Sequence, residues 1–167
     1  SVQNSWEAGV VKEIVQGKRV IDVAKGAGIK HIVYSSVASA DRNTGIPHFE
    51  SKWEIERYLR KSGLAYTTVR PVYFMENFYQ PQVFGGIVNG TLALGLRPET
   101  KLQMVAVNDI GEFVARAFDE PSRYAGREID LAGDELSGVA MAEAFSRVLG
   151  REVRYREIPK EAIREES

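Results

Sequence analysis

Residues 10–36, VVKEIVQGKRVIDVAKGAGIKHIVYSS, decide the fold. Val10, Ile14, Gly17, Ile21 and Ala24 recur at alternating steps of four and three, the spacing of one face of an α-helix packed on something flat. Gly26 and Gly28 mark its end. His31-Ile32-Val33-Tyr34-Ser35-Ser36 follows at once, and its β-branched run predicts a strand buried on both faces with a polar C-terminal end.

The pattern then repeats downstream. Ser39, Asp41, Asn43, Gly45 and Pro47 make residues 37–47 a loop, and a second helix is predicted over 49–62 with Ile55, Leu59 and Ser62 inside and Gly63 as its stop. Tyr66-Thr67-Thr68-Val69-Arg70 reads as the next strand, halted by Pro71. Helix, strand, helix, strand at this spacing predicts right-handed crossovers in a parallel sheet, so the fold class is α/β. Ligands of open parallel sheets bind outside the carboxyl ends of the strands. Three segments fall there: Gln3-Asn4, Ser35-Ser36 and Pro71 through Asn77.

The second half is less regular. Residues 80–96 carry Gly85, Gly86, Gly90 and Gly95 with few charges, which suggests a loop or lining segment over a pocket. Asp109 three residues before Glu112 resembles a capping box opening a helix to about Phe118. Glu128 to Ala132 reads as a strand, Ser137 as the cap of a helix ending near Gly150, and Glu152 to Ile158 as a last strand.

Composition removes several function classes. The 167 residues, 44% hydrophobic and 27% charged, suit a globular chain with a sizeable core. With 22 basic against 23 acidic residues there is no global field for nucleic acid or an anionic membrane, so direct binding to either is not expected. The absence of cysteine rules out disulfides and Cys-ligated zinc, and it fits a reducing compartment, with cytoplasm the expectation. No apolar run is long enough for a membrane helix, and the Asn89-Gly90-Thr91 sequon reads as incidental. His31 and His48 are the only histidines and share no ligand spacing, so no metal is expected. The pairs Glu54/Glu56 and Glu165/Glu166 read as exposed faces.

Four blocks carry a resemblance: WEAGVVKEIVQGKRVIDVAKGAGIKHIVYSS, HFESKWEIERYL, TTVRPVYFMENF and DLAGDELSG. Their order and spacing resemble the NmrA-like family, a branch of the atypical short-chain dehydrogenase/reductases. The resemblance implies a Rossmann-like, doubly wound parallel sheet, of which this chain would supply the second half, followed by a small C-terminal α/β region. Residues 1–78 would then be the C-terminal half of an NAD(P)-binding domain, and 79–167 a substrate or partner region. The opening Ser1-Val2-Gln3-Asn4 reads as a strand end, so a fragment without the glycine-rich first turn or the C-terminal end is expected.

The resemblance also implies a dinucleotide site at Asn4, Ser35, Ser36, Lys52, Pro71, Tyr73, Phe74 and Asn77, with NADP(H) ahead of NAD(H). A lysine ammonium offers three donors suited to the two hydroxyls of the nicotinamide ribose. Asn4 and Asn77 suit the carboxamide or ribose edge, and Tyr73 and Phe74 offer apolar surface to the ring. Catalysis would fall to Lys52, His48 and Ser36. Typical members of the wider superfamily place a proton-donating tyrosine four residues before this lysine, whereas this chain has His48 there. Histidine titrates near 6.5 and tyrosine near 10, so the usual hydride chemistry is put in doubt.

Three readings stay open: a nucleotide-sensing regulatory module with a protein partner, an NAD(P)H-dependent oxidoreductase on quinones or small carbonyl compounds, and a fragment inactive alone. The third follows because much dinucleotide affinity comes from the glycine-rich turn and first helix. The same absence would bare a sheet edge, so weak binding, aggregation or oligomers are expected of the isolated stretch.

Overall fold

The computed structural model describes residues 9–159 and 161–162, and they fall into two compact units. One is built from residues up to Val72 together with Asn108–Leu131, the other from Tyr73–Val107 together with residues from Ala132 onward.

In the first unit helix α1 (Val10–Gly26) leads into strand β1 (Ile32–Ser35), and helix α2 (Pro47–Lys61) leads into strand β2 (Tyr66–Pro71). Proline is tolerated at the start of α2 because the first helical N–H lacks a partner in any case. Gly63, at φ 79, lets the chain turn out of that helix. The strands pair in parallel, Ile32 opposite Tyr66 and Ser35 opposite Val69. The returning segment adds α4 (Val107–Asp119), α5 (Pro121–Tyr124) and β6 (Arg127–Leu131), and β6 lies parallel on the other side of β2. Flanked on both edges, β2 is buried from Thr67 to Pro71.

Burial on both faces, expected of β1, belongs to β2 instead, and β1 is half-buried with Ser35 exposed. Among the described residues β1 pairs only with β2, so it sits at an edge. The inner face of α1 also differs from its apolar pattern. Glu13, Gly17 and Ile21 are the buried residues, while Val10, Ile14 and Ala24 are half-buried. Gly17 lets α1 approach α2 closely: a Cβ there would lie 2.6 Å from Ile55 Cδ1. Ile21, Ile55 and Leu59 form the core between the helices.

The second unit holds β3 (Tyr73–Phe74), α3 (Pro81–Val88), β4 (Thr91–Leu94), β5 (Lys101–Val105), β7 (Asp134–Ser137), α6 (Gly138–Leu149) and β8 (Arg154–Glu157). Strands β3 and β7 flank β5, parallel and antiparallel respectively, and β4 pairs with β8 in parallel. The expected loop over residues 80–96 is thus largely α3 and β4. Gly86 permits the tight return, since a Cβ there would meet the Thr91 carbonyl at 2.9 Å. Ile87, Leu92, Met104, Met141, Ala142 and Val153 make the core.

The two caps expected from sequence differ in outcome. Ser137 Oγ accepts from the Ala140 N–H at 3.2 Å, and Gly150 closes α6 in the left-handed region. Asp109 lies inside the first turn of α4, and the N–H of Val107 is met instead by both carboxylate oxygens of Glu76 at 3.0 Å. Among the described residues no helix is long and apolar enough to cross a membrane, and no group of three or more His, Asp or Glu could hold a metal.

Candidate functional site

Strands β1 and β2 end side by side in the first unit. Ser36 donates its N–H to the Val69 carbonyl at 2.8 Å, and Ala38 donates to the Pro71 carbonyl at 3.0 Å. These two bonds place Ser36 and Pro71 at neighbouring C-terminal strand ends. The loop beyond is tightly held: Ala40 is fully buried, and Ser39 (φ 66) and Asn43 (φ 50) occupy the left-handed region. For a serine that conformation costs about 1–2 kcal/mol, which the surrounding packing must supply.

Ser36 Oγ is buried and has no hydrogen-bond partner among the described residues. A buried hydroxyl left unpaired is costly, so an unpaired one facing a strand end fits a site completed by a ligand. Tyr34 Oη, one residue inside β1 from Ser35, is likewise buried without a partner. Burial first, then the charges of Glu13 and Glu56, push the Tyr34 phenol far above its ordinary value, so it stays protonated.

Lys52 lies one turn into α2 and lines a cavity of about 290 Å³ together with Glu13, Tyr34 and Ser35. Its ammonium is ion-paired with Glu13 Oε1, and the neighbouring Ser51 Oγ donates to Glu13 Oε2 at 2.5 Å. Glu13 is 2% exposed, whereas the Lys52 side chain keeps 21% of its surface accessible. Among the described residues, Glu13 engages one of the three ammonium donors.

His48 does not line that cavity. Its ring packs edge-on against Phe49, with centroids 4.8 Å apart, and its carbonyl accepts from Ser51 Oγ at 3.1 Å. Burial lowers the His48 pKa below 6.5, with Glu13 raising it and Lys52 lowering it. The imidazole is thereby biased toward its neutral form, a poor substitute for a proton donor at neutral pH.

Ser35, Ser36, Lys52 and Pro71 thus belong to the first unit, while Tyr73, Phe74 and Asn77 belong to the second. Burial raises the Tyr73 phenol above its ordinary value, and the Asn77 side chain opposes the rise. Phe74 is exposed. Asn4, with the Glu165/Glu166 pair, lies outside the described residues.

Sequence reading missed two charged positions. Glu13 is one, and Arg70, the last residue of β2 before Pro71, is the other. The Arg70 guanidinium is buried and makes a bidentate pair with Glu56, at 2.6 and 3.1 Å, plus contacts to Glu128 at 3.0 Å and Asp41 at 3.2 Å. Glu56, expected on an exposed face, is 1% exposed because it serves this pair. The network ties α2 and the loop after β1 to the end of β2.

Within the second unit a cavity of about 580 Å³ is lined by Met75, Phe78, Met104, Leu136, Met141 and Phe145 among others. All three methionines of the chain line it. The charged groups in its wall are the carboxylates Glu76 and Asp134. Phe84, Ile87 and Val88 come from the segment expected to line a pocket.

The sequence model of the NmrA-like family matches residues 1–166. An NmrA-like family domain-containing oxidoreductase, malD of Malbranchea aurantiaca, is 33% identical over 83% of this chain and 46% of its own length. NmrA, a negative transcriptional regulator solved in complex with NADP, is 29% identical, with a TM-score of 0.78 over 95% of this chain and 52% of NmrA. The NADPH-dependent quinone oxidoreductase QOR2 of Escherichia coli, solved with NADPH, is 26% identical, with a TM-score of 0.77 over 89% of this chain and 51% of QOR2. The chain spans about half the length of the curated relatives it matches. With its parallel β1-β2-β6 sheet, a lysine sharing a cavity with Ser35 at the end of β1 and a family match running from residue 1 to residue 166, the chain belongs to the NmrA-like family.

Proposed function

We propose that this protein binds a nicotinamide dinucleotide, NADP(H) in preference to NAD(H), and acts as a nucleotide-sensing regulatory module. The observation that carries the reading is the cavity that Lys52 shares with Ser35 at the end of β1, one residue before the unpartnered Ser36 hydroxyl. NmrA, described as a negative transcriptional regulator and solved both with NAD and with NADP, supports the dinucleotide and the regulatory role.

In this reading Lys52 donates to the ribose hydroxyls and Ser36 gains the partner it lacks. Asn4, Ser35, Pro71, Tyr73, Phe74 and Asn77 complete the dinucleotide contacts, as the family resemblance implies. Residues 1–78 serve the dinucleotide, and 79–167 face a substrate or a regulatory protein. A reduced dinucleotide supplies a hydride, and a reaction using it needs a proton donor nearby. His48 stands in the tyrosine position with its pKa lowered, so this chain is better equipped to hold the dinucleotide than to turn it over.

A second reading has its own support. The 580 Å³ cavity falls in the size range of small-molecule sites, and its methionine and phenylalanine walls suit an apolar acceptor such as a quinone. That would make the protein an NAD(P)H-dependent oxidoreductase, as QOR2 is named. NADPH consumption with a panel of quinones and small carbonyl compounds separates the two. Binding without turnover supports the sensor. Turnover that disappears in Lys52→Ala and persists in His48→Gln makes the protein a reductase with another proton donor.

A further inference from the structure

A carboxylate buried between two helices is costly unless it has work to do, and Glu13 is 2% exposed. Both its oxygens are committed to consecutive residues of α2, Oε1 to the Lys52 ammonium and Oε2 to Ser51 Oγ. One turn later, Gly17 seats α1 against Ile55 so closely that a Cβ would lie 2.6 Å from Ile55 Cδ1. Ile55 is itself 2% exposed and has little room to move. The carboxylate is thus fixed relative to Lys52 from both sides. It also lines the same cavity as Lys52, Tyr34 and Ser35.

We infer that Glu13 is a positioning residue that holds the Lys52 ammonium in the cavity beside Ser35 and cancels its charge, so that Lys52 acts as a hydroxyl donor to a neutral sugar diol. The inference rests on the dinucleotide reading above. Its physical basis is the asymmetry of the pair: the Glu13 side chain is all but buried, while Lys52 keeps part of its surface accessible. A lysine free to swing on four methylenes would pay rotamer entropy on binding, and the fixed carboxylate removes most of that cost beforehand. With its charge compensated at contact distance, the ammonium has less pull on phosphate and keeps its directional donors for hydroxyls.

The test is a cycle of NADPH affinities, measured by calorimetry on the intact protein, for wild type, Lys52→Met, Glu13→Gln and the double variant, with thermal melts alongside. Glu13→Gln is expected to weaken NADPH about tenfold, and to change affinity less than about twofold once Lys52 is methionine. Glu13→Asp, which restores the charge, is expected to recover binding to within about threefold of wild type. Ser51→Ala, which loosens Glu13 without removing a charge, weakens NADPH about threefold, again only when Lys52 is present, and serves if Glu13→Gln does not fold. Equal losses from the Glu13 substitution in both backgrounds would mean that Glu13 only stabilises the helix pair, and would overturn the inference. So would unchanged binding in Glu13→Gln. If Lys52→Met alone binds like wild type, the premise that Lys52 holds the ligand fails and the inference falls with it, a result visible separately in that variant.

Discussion

Replacing Arg70 with methionine will cost about 3–5 kcal/mol of stability, because it strands a carboxylate that cannot reach water. The figure follows from the exposure of the three acidic partners. Glu128 and Asp41 are 24% and 42% exposed, so they rehydrate when Arg70 is lost, and each contact contributes at most about 1 kcal/mol. Glu128 also keeps Arg60, bonded at 2.7 Å. Glu56 is 1% exposed and, among the described residues, is hydrogen-bonded through its side chain by Arg70 alone, so its loss dominates. With an m-value of about 2 kcal/mol/M, a loss of about 4 kcal/mol lowers the urea midpoint by about 2 M. The Trp53 ring lies 5.0 and 5.7 Å from the guanidinium carbons of Arg60 and Arg70, so its fluorescence reports the unfolding of this region. The double variant Arg70→Met/Glu56→Leu replaces the buried pair with apolar packing and will recover most of the loss. A cost below about 1 kcal/mol for Arg70→Met, or a double variant no more stable than the single one, would refute this account of the network.

Further outcomes follow from the same contacts. Ser36→Ala removes a hydroxyl that bonds to nothing among the described residues, so it will leave the urea midpoint unchanged or slightly raised while weakening NADPH; a clear loss of stability would show a structural partner. Gly17→Ala gains helix propensity but drives a methyl into Ile55, for a net destabilisation of about 1–2 kcal/mol by urea unfolding. For His48, burial holds the folded pKa below its unfolded value near 6.5. The unfolded chain therefore binds more protons in that window, so this contribution to stability is present above about pH 6.5 and is lost as pH falls below it. An NMR titration of His48 will show a midpoint below about 6.5, and His48→Gln will flatten the stability profile there; a midpoint at or above 6.5 contradicts the burial argument.

The α/β framework was legible because its signals are periodic and local. The run from Ile32 to Ser35 and the tract from Tyr66 to Pro71 sit where right-handed crossovers would place parallel strands, and Gly63 and Ser137 act through backbone geometry that the sequence states directly. Glu13 escaped because an apolar-periodicity search passes over a carboxylate. Its position was nevertheless informative, four residues before Gly17 and eight before Ile21 on one buried stripe. Arg70 and Glu56 escaped for the opposite reason: each looks like ordinary solvated charge until the fold brings them together from β2 and α2. Strands β5 and β7 carry mixed polar sequences and are specified by each other, Lys101 opposite Ser137 and Met104 opposite Asp134, a pairing no local pattern announces. The glycines of 80–96 read as a loop or lining segment because glycine marks open turns and close packing alike, and α3 and β4 use Gly86 for a tight return.

The central claim is that Lys52, which shares a cavity with Ser35 at the end of β1, holds a nicotinamide dinucleotide. Calorimetric titration of NADPH into the intact protein and its Lys52→Ala variant tests it most directly, with melts confirming that both fold. The expected result is saturable binding to the wild type and at least about a tenfold loss in the variant, the value of roughly 1.4 kcal/mol in charge-assisted hydrogen bonds. Equal affinity in the two proteins, or no binding to the folded wild type, would contradict the claim.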